Sequence, residues 1–123
     1  MINIDIFGVD SKLGLEYCDG NTNLYHKILH SYVLDINEAI DNIKNVSLET
    51  LAAYSVYVHG IKSISQAIGA EEASETAKHL EKLAKSGNLN AVLEKNNIFV
   101  KYIEKIVNSI NIWLEKNELP ARQ

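Results

Sequence analysis

The sequence predicts a single all-α domain over residues 1–123, an antiparallel up-down four-helix bundle with a short N-terminal capping helix. Three observations predict this fold. Apolar residues recur every three or four positions along four long segments. The only proline is Pro120, so the chain before it has no obligatory helix breaker. Glycine and asparagine cluster at a few points that mark turns, and short turns between long amphipathic helices favour antiparallel neighbours.

The helices are expected at about residues 10–17, 22–44, 47–68, 71–86 and 89–116. The first begins at Asp10, a residue type that caps helix N-termini, and ends before the turn at Asp19-Gly20. The second carries an apolar stripe at steps of three and four residues. The stripe comprises Tyr25, Ile28, Leu29, Tyr32, Val33, Ile36, Ala39, Ile40 and Ile43. One face of this helix should therefore be buried.

The third helix is expected to begin at Ser47 as its N-cap and to stop at Gly69. It keeps the same apolar rhythm through Leu51, Tyr54, Val58, Ile61, Ser65 and Ile68. Residues 54–58 are rich in β-branched and aromatic side chains, which alone would predict a strand. The helical rhythm continues on both sides of this run and there is no partner strand, so a helix is favoured.

The fourth helix is acidic at its start and basic at its end, as the helix dipole prefers, and Gly87 is placed to end it. Its alanines should allow a neighbouring helix to approach closely. The fifth helix is expected to turn five large apolar side chains inward: Phe99, Ile103, Ile106, Ile110 and Trp113.

Composition excludes several classes of function. A chain of 123 residues, 46% of them hydrophobic, suits one compact domain and leaves little room for a separate catalytic domain. Sixteen acidic residues against twelve basic ones give a formal charge of −4, the wrong sign for binding nucleic acid. No apolar run approaches the roughly 20 residues that a membrane span needs. We therefore expect a soluble, cytoplasmic protein without a membrane partner.

Cys18 and the pair His26 and His30 are candidate metal ligands. Cys18 is the only cysteine, so it cannot form an internal disulfide, and no zinc-like spacing surrounds it. His26 and His30 are four residues apart and share a helix face, but no further ligand stands in a recognisable spacing. A solvated histidine pair is favoured, and zinc binding is a weaker alternative. His79 lies in an ordinary charged helix surface.

His59 differs from the other histidines because it follows the core position Val58 and so projects from the edge of the buried stripe. A polar flank surrounds it on the same helix: Ser55, Lys62, Ser63 and Gln66. A lysine three residues away could offset the charge of a phosphoryl group on the imidazole. A glycine such as Gly60 in a helix interior costs about 1 kcal/mol of stability relative to alanine. Its presence suggests either close packing against another helix or a surface kept open for an approaching molecule. The spacing alone is also compatible with a histidine that merely lies at the edge of the core, next to a glycine that allows close helix packing.

The run from His59 to Ala70 resembles the signature of histidine phosphotransfer (HPt) domains, in which a phosphorylatable histidine precedes Leu or Ile, Lys, small residues and a terminal Gly-Ala. Six positions agree in type: His59, Ile61, Lys62, Ser65, Gly69 and Ala70. Weaker similarities extend the resemblance over about residues 8–114. The family commonly has glycine four residues after the histidine, where this chain has Ser63. Glu81 loosely matches the polar residue that holds the non-reacting imidazole nitrogen.

The resemblance implies a phosphocarrier that accepts a phosphoryl group on His59 from a receiver aspartate and passes it to another receiver. Lys62 would be the electrostatic partner, and Glu81 a further binding residue. Ser55, Gly60, Ser63 and Gln66 would form the docking rim. The expected partners are response-regulator receiver domains and possibly a hybrid sensor histidine kinase.

Without a glycine-rich nucleotide loop, the chain is not expected to be an enzyme that phosphorylates itself from ATP. No cofactor is expected on the chain, because Mg²⁺ should come with the receiver. The alternative is a structural or scaffolding helical bundle that performs no phosphotransfer.

Overall fold

The structure, a computed structural model, describes residues 4–117 and confirms the all-α prediction for them. Five helices follow one another: α1 (Ser11–Tyr17), α2 (Thr22–Ile43), α3 (Leu51–Ile68), α4 (Glu71–Lys85) and α5 (Leu89–Lys116). Within this range the only extended pairing is an isolated bridge between Ile6 and Val9. Residues 54–58 are helical inside α3, so the wider periodicity outweighs their local strand preference.

Capping residues explain four of the helix boundaries. The side chain of Asp10 accepts a hydrogen bond from the Leu13 N–H at 3.1 Å, which fixes the start of α1. Asn21 and Asn88 cap α2 and α5 in the same way. Gly69 ends α3 in the left-handed conformation, with φ of 88°. These ends fall within about one residue of the predicted ones.

The start of α3 was predicted wrongly. The helix begins at Leu51, with Thr50 as N-cap, and not at Ser47. The Ser47 N–H donates to Thr50 Oγ1 at 2.8 Å, and the Thr50 N–H is 3.2 Å from the Ser47 carbonyl oxygen. Ser and Thr side chains that bond nearby backbone compete with helix formation. Residues 47–50 therefore form a local turn instead of the first turn of the helix.

Four helices surround one core. Helix α2 contacts α3 and α5, α4 contacts the same two helices, and α1 contacts α3 and α2. The largest fully buried side chains come from all four long helices and comprise Tyr25, Tyr32, Tyr54, Phe99, Leu29, Ile36, Ile43, Ile61, Ile68, Leu80, Ile103 and Ile106. Trp113 was predicted inward but is only partly buried, with its ring 5.7 Å from the ring of His26. Helix α3 packs most extensively against α4, whose buried side chains include three alanines and a serine.

Buried hydroxyl groups fix the orientation of α3. Tyr25 donates to the Ile68 carbonyl at 2.8 Å, and the Tyr32 hydroxyl lies 2.9 Å from Ser65 Oγ. Tyr54 donates to Asn96 Oδ1 at 2.7 Å. Burial raises the pKa of Tyr32 to about 12, although its hydrogen bond with Ser65 acts in the other direction. The hydroxyl therefore stays protonated at neutral pH.

No helix within residues 4–117 is long and apolar enough to cross a membrane.

Replacing Ile61 or Ile106 with alanine should lower the free energy of unfolding by about 2 to 5 kcal/mol, because each side chain is fully buried and its loss leaves a cavity. Urea unfolding followed by circular dichroism measures the change. Ile98→Ala is the matched control, because Ile98 lies on α5 with 73% of its surface exposed. A near-neutral result for the two core variants would contradict the helical phase described above.

Candidate functional site

His59 lies in the middle of α3 and points away from the core. Its side chain is 55% exposed, whereas Val58 immediately before it is fully buried. The helix that carries it is rigidly placed, because Tyr32 and Tyr54 hydrogen-bond on its inner face and across the core. The imidazole is thus held by the fold and is accessible to another molecule.

A buried carboxylate on α4 binds this imidazole. Glu81 is only 9% exposed, and its Oε2 lies 2.9 Å from His59 Nδ1. The same oxygen is 2.8 Å from Lys85 Nζ, and Oε1 is 3.8 Å from Lys62 Nζ. The site therefore consists of one carboxylate between three nitrogen-bearing side chains from two helices.

These neighbours keep Glu81 ionised. Its pKa is held below the usual range chiefly by the hydrogen bond from Lys85, while burial acts in the opposite direction and His59 adds to the lowering. A buried carboxylate is tolerable only when such donors replace water. At neutral pH the carboxylate is therefore negatively charged and can only accept hydrogen bonds.

The ionised carboxylate decides which ring nitrogen of His59 carries the proton. Because Glu81 can only accept, Nδ1 must donate, and in the neutral ring the lone pair is then on Nε2. Within residues 4–117, Nε2 has no hydrogen-bond partner. In the neutral form of the ring, the arrangement therefore leaves the Nε2 lone pair free to act as a nucleophile.

Lys62 lies at the site but is less exposed than expected. Its side chain is 26% exposed, although its place in the polar flank predicted around His59 implies a largely solvated lysine. The reason is that Lys62 is on the flank of α3 that faces α4, where its backbone carbonyl accepts a hydrogen bond from Ser74 Oγ at 3.0 Å. Lys62 is consequently restrained near Glu81.

The predicted docking rim needs one correction. Ser55 is only 7% exposed, and its hydroxyl donates to the Ala52 carbonyl at 2.7 Å. Ser55 therefore offers little surface to a partner.

The other rim residues are accessible. Ser63 is exposed, with its Oγ 3.4 Å from the His59 carbonyl oxygen. Gln66 is exposed and lines a groove of about 270 Å³ together with Lys62. A Cβ at Gly60 would meet no atom within 4 Å. Gly60 is therefore not a site of close helix packing. The structure favours the other explanation, in which the missing side chain leaves the helix surface accessible to another molecule.

Two features of the site were not predicted from the sequence. Lys85 stands four residues after Glu81, a spacing that pairs opposite charges on a helix and could have indicated it. The second feature is an apolar groove of about 270 Å³ between α2 and α3, beside His59. Val56, 69% exposed, lines it, and its position outside the apolar stripe of α3 was the available signal.

The remaining histidines and the cysteine lie elsewhere. His79 is exposed on α4, and His26 Nε2 lies 2.8 Å from the Asn117 carbonyl oxygen. His30 is exposed, and Cys18 is buried. In the part of the chain that the structure describes, no group of three or more His, Cys, Asp or Glu side chains could hold a metal ion. His26 and His30 thus have no third ligand among these residues.

Comparison with protein-family models, with curated proteins and with solved structures finds no match to this chain.

The Glu81→Gln variant should be less stable than the parent at about pH 7, and the difference should shrink as the pH falls. The pKa of Glu81 is lower in the folded than in the unfolded chain, so its contribution is fully present above the ordinary glutamate pKa of about 4.3 and is lost as the pH falls through the lowered value. Urea unfolding at several pH values measures it. Glu94→Gln, on an exposed part of α5, should show no such trend. A pH-independent difference for Glu81→Gln would refute the ion pairing.

Proposed function

We propose that this chain is a histidine-containing phosphotransfer protein of a two-component phosphorelay, with His59 as the residue that is phosphorylated. One observation carries the proposal: an exposed imidazole on a rigid helix has its Nδ1 held by a buried, ionised carboxylate. This arrangement leaves Nε2 as the nucleophile. The resemblance of residues 59–70 to the HPt signature supports the same conclusion independently.

The transfer step requires an activated phosphoryl donor, for which an aspartyl phosphate of a receiver domain is suited. The Nε2 lone pair forms a bond to phosphorus while the bond from phosphorus to the carboxyl oxygen breaks, and the electron pair leaves on the aspartate carboxylate. Nδ1 keeps its proton, so the phosphorylated ring is positively charged and Glu81 lies beside that charge. Reversal of the same step onto a second receiver completes the relay.

Charge near His59 suits this chemistry. Lys62, restrained beside Glu81, can offset the negative charge that arrives with the phosphoryl group. Mg²⁺ bound by the receiver would neutralise the phosphoryl oxygens further. The chain is then a carrier that depends on partners for phosphate, with receiver domains and possibly a hybrid sensor kinase as those partners.

The proposal includes an antiparallel up-down arrangement of α2 to α5. Short connections between contacting helices favour it. The contacts of α3 support it, because His59 meets Glu81 whereas Lys62, further along α3, meets Ser74, which comes earlier on α4.

We also propose that the protein acts in the cytoplasm, since relay partners that carry receivers would meet it there.

Incubation with a phosphorylated receiver should place an acid-labile, base-stable label on the protein, and His59→Gln should abolish it. His79→Gln is the matched control, because it removes an exposed histidine from a neighbouring helix and should keep the label. Radiolabel transfer and circular dichroism of both variants measure labelling and folding. Label that persists in a folded His59→Gln variant, or no label with any receiver of the same organism, would instead support a scaffolding bundle.

Lys62→Ala should slow phosphotransfer about tenfold and shorten the lifetime of the phosphohistidine, because the ammonium group no longer offsets phosphoryl charge. Rapid-quench kinetics measure both quantities. Lys82→Ala, which removes an exposed lysine from α4, should leave both unchanged. Equal kinetics for Lys62→Ala and the parent would remove the assigned role of Lys62.

A further inference from the structure

The α2–α3 groove beside His59 combines apolar surface with negative charge. Val56 and Tyr57 expose apolar surface on α3, and Gly60, the residue after His59, leaves the backbone open. Asp35 and Glu38 line the groove from α2. The remaining lining residues are Ala39, Ile61 and Ile64, so no cation lines it. The groove is therefore apolar with a carboxylate edge.

The opposite side of His59 carries positive charge. Lys62 and Lys85 both lie within ion-pair distance of Glu81, at 3.8 and 2.8 Å. Two ammonium groups around one carboxylate give this cluster of Lys62, Glu81 and Lys85 a net charge of about +1. Lys85 is well exposed and presents its charge to an approaching molecule. His59 thus lies on the boundary between an acidic apolar groove and a basic flank.

We infer that this charge polarity sets the orientation in which a receiver domain docks, with its phosphorylated, carboxylate-rich end over Lys62 and Lys85 and with an apolar side chain flanked by Lys or Arg in the α2–α3 groove. The inference rests on the proposed function, since it concerns the partner of the same histidine. It specifies the chemistry by which a cognate receiver is recognised.

Electrostatic complementarity favours this orientation over the reverse one. The aspartyl phosphate must face His59 in either orientation, but the reverse one would set the carboxylates around it against Asp35 and Glu38. Gly60, the residue after His59, lines the groove, so a partner that reaches the imidazole lies next to the groove. Interface cores favour exposed apolar side chains such as Val56, and charged rims govern association rates.

Reversing the acidic edge tests the inference. The double variant Asp35→Lys with Glu38→Lys should lower the second-order rate of transfer from a phosphorylated receiver about tenfold at low salt, with a smaller effect at high salt. The matched control, Glu94→Lys with Glu104→Lys, places the same charge change on exposed positions of α5 and should act much less. Direct phosphorylation by phosphoramidate, a small donor that needs no docking, should stay within about twofold of the parent for both variants.

The outcomes separate the inference from the proposed function. Unchanged or faster transfer to the Asp35/Glu38 variant would overturn the docking orientation while leaving phosphotransfer in place. A change in oligomeric state of that variant, measured by sedimentation, would show that the groove binds a second copy of the chain and would also overturn it. Absence of transfer to the parent chain from every receiver would overturn the proposed function itself and the inference with it. A receiver with its contact Lys or Arg replaced by Glu should restore transfer to the reversed variant.

Discussion

The need to satisfy buried hydroxyl groups constrains the rotation of α3, and the rest of the site depends on that rotation. Tyr25 and Tyr32 reach from α2 to the C-terminal half of α3, and Tyr54 reaches from α3 to Asn96 on α5. Successive residues of a helix point about 100° apart, so a shift of one position would break all three bonds. Each unpaired buried hydroxyl would cost about 1 to 3 kcal/mol. The imidazole of His59 faces outward because this polar framework holds the opposite face inward.

The carboxylate of Glu81 connects the fold to the chemistry. Removing a carboxylate from water is costly unless donors replace the lost hydration, and here Lys85 and His59 do so, with Lys62 at ion-pair distance. The same hydrogen bond that compensates for burial fixes the tautomer of the imidazole. The Glu81–His59 hydrogen bond therefore contributes both to the burial of the carboxylate and to the tautomer of the ring, and its geometry is set by the close packing of α3 on α4.

The sequence predicted the helices well because their periodicity and caps are local properties. It misplaced the start of α3 because the Ser47–Thr50 turn competes with the helix through hydrogen bonds that a capping preference does not distinguish. The restraint of Lys62 was not predictable, since it follows from contacts with Ser74 and Glu81 of α4, and the burial of Ser55 likewise appears only in the folded chain. Glu81 was identified as a site residue only through the family resemblance. Its distance to His59 follows from tertiary packing and could not be predicted from the sequence.

Gly60 shows how the site departs from what the fold requires. A glycine within a helix costs about 1 kcal/mol relative to alanine, and close packing is the usual reason to keep one. A Cβ at this position would meet only open space, so packing does not account for it. Its φ angle is not in the left-handed region either, in contrast to Gly69. The missing side chain leaves an uncovered stretch of α3 between His59 and the apolar groove, and this is the surface on which the proposed receiver would dock.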